Sequence, residues 1–353
     1  MAKRVKRRSV WWIVLLLAVV GWAAYRTGMS VWGNYELRKA QRAIAAHDWP
    51  QAHRSLVCCF WVWPDQPGVH LWAARTARFE GRVEDARRHL DRCAGDRVLA
   101  ESARHERQLL AVHSGDLQDA QQLRGLLHDH PDDPQSPAIA EALIAGSLAA
   151  GEHGLALSVL DWWDLHRTST SDRVVGLLWR AEIPVALDRY EDARTLCRQA
   201  LDLDPAHWSA RLLLVQLLAH DDPAEAQTHL TILLGREPDD PYLLIQQALV
   251  HRNFGRSQEA RACLDRVLGQ RPEWVEAVVE RGLVELDVQQ PDAAAPWLDR
   301  AEELAPHGRT VLLARIEYLR QKGQTAAVHQ MQRELKLIEA QASGGREPTE
   351  SQP

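Results

Sequence analysis

Two adjacent cysteines, Cys58 and Cys59, stand beside Trp61 and Trp63 in the run V-C-C-F-W-V-W-P, and thiols so placed could form a redox pair or bind a metal. Their spacing suits neither role. Neighbouring side chains on a helix point about 100° apart, which closes neither a disulfide nor a bidentate metal site. The other cysteines, at 93, 197 and 263, complete no CxxC or CxxCH, so the sequence offers no zinc, thioredoxin-like or haem-attachment motif. An odd count in a chain with ample core also argues against a disulfide framework. Cys59, Cys93, Cys197 and Cys263 are therefore expected as small core residues. The sixteen histidines form no HExxH, and the H-D-H of His128 to His130 lacks a third spaced ligand. The D-D-P turns lack the alternating oxygen ligands and glycine of a calcium loop. GxSxG, GxxxxGK[ST] and GxGxxG do not occur either. No catalytic, cofactor-binding or metal-binding residue is assigned, and function must rest on what the helices present at their surfaces.

Helices are expected because Ala, Leu, Arg, Glu and Gln dominate while Phe, Tyr and Ile are sparse. The formal charge is −6, and five positive charges fall within the first eight residues, leaving −11 on the remainder. An acidic body argues against nucleic acid, whose binders need a basic stripe to displace counterions. After the basic cluster of residues 1–8, Val10 to Tyr25 run sixteen residues without a charge. At about 1.5 Å per residue they reach roughly 24 Å, and a helix continuing to Trp32 would span the ~30 Å hydrocarbon core. Trp11, Trp12, Trp22 and Trp32 would form interfacial belts. Residues 9–32 are thus expected to be one transmembrane signal anchor, with the amino terminus cytoplasmic and the body extracytoplasmic, periplasmic if bacterial. The rival is a cleaved signal peptide, since Gly21, Trp22 and Ala23 make a small-x-small site.

From residue 33 the chain repeats itself. Alanine recurs at 52, 86, 120, 156, 193, 226, 260 and 294, at spacings of 33 to 37 residues, and a closing proline at 64, 205, 238, 272 and 306. Each copy reads as an apolar-periodic run, a Gly- or Asp-rich turn at Gly81, Gly115, Gly151, Gly255 and Gly323, and a second amphipathic run ended by proline. The alanine must be small for two helices to approach, and stacking buries the faces that one hairpin cannot bury alone. This pattern resembles the tetratricopeptide repeat family, in a membrane-anchored bacterial-type form. The resemblance implies an all-α, right-handed α-α superhelix: a solenoid of about nine helix hairpins over residues 33–340, preceded by the transmembrane helix and followed by a disordered tail, 341–353. The D-D-P-Q-S-P and T-S-T-S-D stretches, with Pro184, interrupt the period in mid-array.

The family binds an extended peptide or a partner helix in its concave groove, through fixed positions of each first helix. Carried onto this sequence, those positions give Leu71 and Arg75, with Arg78 and Phe79, in the second repeat, and Leu212 and Gln216 in the sixth. They give Tyr242, Ile245, Leu249, Arg252 and Asn253 in the seventh, and Glu276 and Val279, with Leu283 and Asp287, in the eighth. The expected role is a non-catalytic, membrane-anchored scaffold holding a protein segment, with no small-molecule substrate; the alternative is an accessory subunit or regulator of an exported enzyme system. In the same register Leu56, Cys59 and Phe60 face the core. Val57, Cys58 and Trp61 fall on the outer face, as a patch for the bilayer or a membrane partner.

Overall fold

Eight of the hairpins turn on a residue that stops the first helix and reverses the chain. Gly81, Gly115, Gly151, Gly255 and Gly323 take φ from 70° to 94°, and where glycine is missing His47, Asp188 and Gln289 take φ from 54° to 59°. Glycine adopts this left-handed conformation freely, whereas a side chain there costs roughly 1 kcal/mol. The turn geometry is thus kept even where its preferred residue is lost. Two second helices restart on polar caps: the Asp48 carboxylate accepts the Gln51 amide at 3.2 Å and the Asp222 carboxylate the Glu225 amide at 2.9 Å.

The structure is a computed structural model that describes the backbone of residues 2–343 and the side chains of residues 16–338. Among the described residues it is all α, a helical repeat without strands. The hairpins are α1 (Ala2–Ala45) with α2 (Trp49–Val62), α3 (Pro67–Phe79) with α4 (Val83–Cys93), and α5 (Ala100–His113) with α6 (Ala120–Asp129), the last pair joined through a 3-10 turn at Leu117–Asp119. Then come α7 (Ser136–Ala149) with α8 (His153–His166), α9 (Thr170–Ala186) with α10 (Tyr190–Leu203), and α11 (Trp208–Leu218) with α12 (Pro223–Arg236). The last three are α13 (Pro241–Asn253) with α14 (Ser257–Gln270), α15 (Val275–Asp287) with α16 (Pro291–Leu304), and α17 (Arg309–Gln321) with α18 (Thr325–Ser343). The T-S-T-S-D interruption is absorbed by α9, which grows to 17 residues and is capped by Ser169, whose hydroxyl accepts the Asp172 amide at 3.1 Å. Pro184 lies in the last turn of α9.

The recurring alanine is buried in every copy, fully so at 52, 156, 193, 226, 260 and 294. It lies where the two helices of a hairpin cross, and a larger side chain would push them apart. Cys59, Cys93, Cys197 and Cys263 are buried free thiols, as their helical phase requires. Burial pushes the Cys59 thiol up to about 11 and that of Cys197 up to about 12, so both stay protonated and unreactive.

The chain divides into two compact units, residues 1–210 and 211–353. In the first, one core joins α5 to α9 through Leu143, Ile144, Leu160 and Trp163. Here α5 and α7 approach so closely that a Cβ built on Gly146 would lie 1.8 Å from the carbonyl oxygen of Val112. In the second, Leu244, Leu264 and Val267 form one cluster, and Val278, Leu286 and Leu298 another.

The transmembrane expectation is corrected. Among the described residues no helix is long and apolar enough to cross a membrane, so a single-pass membrane placement is overturned. The physical reason is dilution. From Leu16 onward the apolar residues of α1 are interrupted by Gly21, Tyr25, Arg26, Thr27 and Ser30, and from Gly33 the same helix becomes the first arm of a hairpin. The side chains of residues 1–15, which include the basic cluster and Trp11 and Trp12 of the expected belt, and the tail from residue 344 lie outside the described residues.

Candidate protein-binding site

The face of interest is built by the first helix of each hairpin, and in the second unit a series of polar contacts ties these helices together. Gln216 of α11 donates through Nε2 to the Tyr242 hydroxyl of α13. Asn253 Nδ2, at the end of α13, donates to the Ala219 carbonyl at 2.6 Å. Arg252 is held by two carboxylates of α15: Glu280 in close contact with Nη1, and Asp287 at 2.8 Å from Nε. Gln321 of α17 donates to the Leu286 carbonyl at 3.1 Å. Burial pushes the Glu280 and Asp287 carboxyls up, against the opposing pull of Arg252. The Tyr242 hydroxyl is pushed up by burial as well, partly offset by Gln216.

The expected contact residues separate into three groups. Ile245 and Val279 are buried, at 5% and 3% exposure, and belong to the core between helices. Leu212, Tyr242, Leu249 and Arg252 are half-buried, and Gln216, Asn253 and Glu276 are exposed. A ligand lying on this face would therefore meet polar groups with Leu249 and Tyr242 as its apolar contacts.

In the first unit the same face is filled by the protein's own side chains. Leu71 is buried at 7%. Glu106 of α5, itself 2% exposed, receives Arg78 Nε on one oxygen at 2.7 Å and Arg75 Nε on the other at 3.2 Å. The Arg78 guanidinium lies 4.3 Å over the Phe79 ring, and the Trp49 indole stacks on that ring at 4.4 Å. His47 donates through Nε2 to Glu141 of α7 at 2.9 Å, while its carbonyl accepts the Ser209 hydroxyl at 2.9 Å. His105 and His113 complete the cluster, both held below the usual imidazole value by burial, His113 down to about 4.

Glu106, Glu280, His105, His113 and Glu141 were not among the residues expected from sequence. A signal for the first two exists: Arg78 and Glu106 lie 28 residues apart, as do Arg252 and Glu280, so one charged pair occurs at the same register in both units. Along α2, Leu56 and Cys59 face the core, whereas Trp61 is 79% and Val57 42% exposed and Cys58 is half-buried.

This geometry defines a helical-hairpin repeat protein with a face built from successive first helices. The family model described as Tetratricopeptide repeat matches residues 181–222 and 245–309, so these stretches carry tetratricopeptide repeats. Among solved structures it is similar to a tetratricopeptide repeat protein from Parabacteroides merdae ATCC 43184, at 16% identity and TM-score 0.45 over 82% of this chain and 99% of that one. It is also similar to PilW, described as a widely conserved type IV pilus biogenesis factor, at 18% identity and TM-score 0.47 over 61% and 97% of the two chains. A third is YrrB, described as a TPR protein with an unusual peptide-binding site, at 17% identity and TM-score 0.39 over 55% and 97%. No curated protein matches the chain in sequence.

Proposed function

We propose that this chain is a non-catalytic scaffold that holds a segment of a protein partner along the first-helix face of its second unit. The observation that carries the reading is the exposure of Gln216, Asn253 and Glu276 on helices whose apolar positions are already packed. Leu249 and Tyr242, both half-buried, supply an apolar strip, and the contacts that link α11, α13, α15 and α17 hold it rigid. Pre-positioned side chains reduce the ordering cost that binding an extended segment otherwise incurs.

Photo-crosslinking side chains placed at Gln216 and Glu276 test this, against controls at Gln258 and Gln270 on the exposed side of α14. The first pair is expected to capture one common protein in cells and the second pair none. Capture by the α14 pair alone, or by neither pair, overturns the reading. Leu249→Lys should reduce capture at least tenfold with little change in melting, because that side chain is half-buried and a lysine stem can carry its charge to water.

A further inference from the structure

The paired arginines of the two units are satisfied unequally. Arg252 has two carboxylates, from Glu280 and Asp287. Arg78 has one, from Glu106, and shares it with Arg75. Counting along the repeat, Glu106 lies 28 residues after Arg78, as Glu280 does after Arg252, and His113 lies 35 residues after Arg78, as Asp287 does after Arg252. The second carboxylate of the second unit is therefore a histidine in the first.

The consequence is visible in the hydrogen bonds. Arg78 is 1% exposed, and neither Nη1 nor Nη2 has a hydrogen-bond partner among the described residues. His113 Nδ1 and His105 Nε2 are likewise buried without a partner. Arg75, Arg78 and Glu106 sum to one positive charge, whereas Arg252, Glu280 and Asp287 sum to one negative charge. A buried guanidinium with two idle donors is among the more costly arrangements a fold can contain, and a planar carboxylate matches its fork. Water would satisfy the donors but leave the charge. The neighbouring Arg75 side chain is 30% exposed and lies over the Trp72 ring at 4.8 Å, so it is the solvent-facing one of the two arginines that share Glu106.

We propose that Arg78 is a binding site for a carboxylate brought by a ligand, which takes in the first unit the place that Asp287 occupies beside Arg252 in the second. Arg78 Nη1 and Nη2 receive the carboxylate, Arg75 draws it in, and neutral His113 or His105 adds a hydrogen bond without competing for the charge. The site is independent of the face proposed for the second unit, and it is tested on the purified full chain with no partner present.

Sodium formate is titrated against sodium chloride at constant ionic strength while melting is followed by circular dichroism. A saturable rise of about 2–4 °C is expected in formate. His113→Asp supplies the carboxylate from within, so it should melt higher in chloride and lose the formate response. His113→Asn, of similar size and without charge, should keep the response. The double variant Arg78→Met with Glu106→Gln should remove the response while leaving no unpaired buried charge on Arg78 or Glu106. Identical melting of the unmodified chain in formate and chloride overturns the proposal, as does a formate response that survives in folded His113→Asp. Inorganic phosphate and a short Asp-containing peptide with its Asn counterpart distinguish the source. Competition by the Asp peptide alone marks a partner's side chain, and competition by phosphate alone a free oxyanion; either result keeps the site.

Discussion

The two units solve one packing problem with opposite outcomes. Both place an Arg–Glu pair between successive first helices, but the residue after the arginine differs: Phe79 in the first unit, Asn253 in the second. Phe79 packs against both Arg78 and Trp49, beside a pair that is 1% and 2% exposed. Asn253 reaches back to the Ala219 carbonyl, and its neighbouring pair stays at 17% and 18%. The pair is thus closed in the first unit and partly exposed in the second, where Asn253 stands for Phe79 and Asp287 for His113. A repeat keeps its fold by its alanines and turns, while its use is set by residues that the period leaves free.

The comparison is easiest to break where the first unit is tightest. Gly146→Ala would drive a methyl group into the Val112 backbone, and because neither helix can yield locally the expected cost exceeds about 4 kcal/mol. Gly282→Ala is its counterpart in the second unit. There the Cβ meets the Leu298 side chain at 2.9 Å, which can rotate, and the expected cost is about 1–2 kcal/mol. Urea unfolding of both variants, followed by circular dichroism, should show that order. Equal losses would mean that the close approach of α5 and α7 is not what distinguishes the first unit.

The charged pairs give the next largest contrast. Glu106→Ala leaves Arg78 buried and without its partner, at an expected cost of about 3–5 kcal/mol. Glu280→Ala leaves Arg252 with Asp287, which is 46% exposed, and should cost about 1 kcal/mol. Comparable destabilisation by the two variants would show that exposure does not govern the worth of the pair.

Much of this fold was legible in the sequence. The alanine series, the closing prolines and the turn glycines locate all nine hairpins, because each reports a local requirement: close helix approach, chain termination, or a left-handed turn. Burial across hairpins was less legible. Leu71, Ile245 and Val279 sit at positions expected to line a groove, yet they are packed between first helices. Which side of such a residue is covered depends on the rotation of one hairpin against the next, and a period of about 34 residues carries no term for that rotation. The Arg–Glu spacing of 28 residues was present in the chain, but a charge examined one repeat at a time reads as solvated surface. The amino-terminal segment misled for a related reason: an uncharged run was read by itself, while its helix is continuous with the first arm of the array.

Acid should separate the units with a smaller effect. In the first unit His70, His89, His105, His113 and His207 are all held below the usual imidazole value by burial, His89 and His113 to about 4. A folded value below the unfolded one, ~6.5, means that the unfolded chain takes up protons first. The stability these groups supply is therefore complete above pH ~6.5 and is lost as pH falls toward ~4, by up to about 3 kcal/mol for His113. Glu182, raised by burial, opposes this, but it is one carboxyl against five imidazoles. In the second unit His251 is depressed by burial, Glu285 is, against its burial, lowered by the hydrogen bonds of Arg261 and Arg281 and so stays ionised through this range, and Glu280 and Asp287 are raised and so strain the fold less as they protonate. Amide exchange, corrected for intrinsic rates, should show protection falling in residues 16–210 between pH 7 and pH 5 and holding in residues 211–338. Parallel losses would contradict the assignment of buried neutral histidines to one unit.

The smallest expected effect is a control in which the units should agree. Gly125 in α6 and Gly235 in α12 lie in second helices, and a Cβ added at either meets nothing within 4 Å. Neither has the left-handed backbone that would strain an alanine. Replacing either by Ala should therefore stabilise its unit by about 0.5–1 kcal/mol, through the lower entropy of the unfolded chain and not through any new contact. If both variants gain equally, the difference between the units is confined to the face made by the first helices, where Phe79 and Asn253 diverge. If Gly125→Ala instead destabilises while Gly235→Ala gains, the outer side of the first unit is also tightly constrained, and the contrast drawn from the Arg–Glu pairs belongs to the whole unit instead of to one face of it.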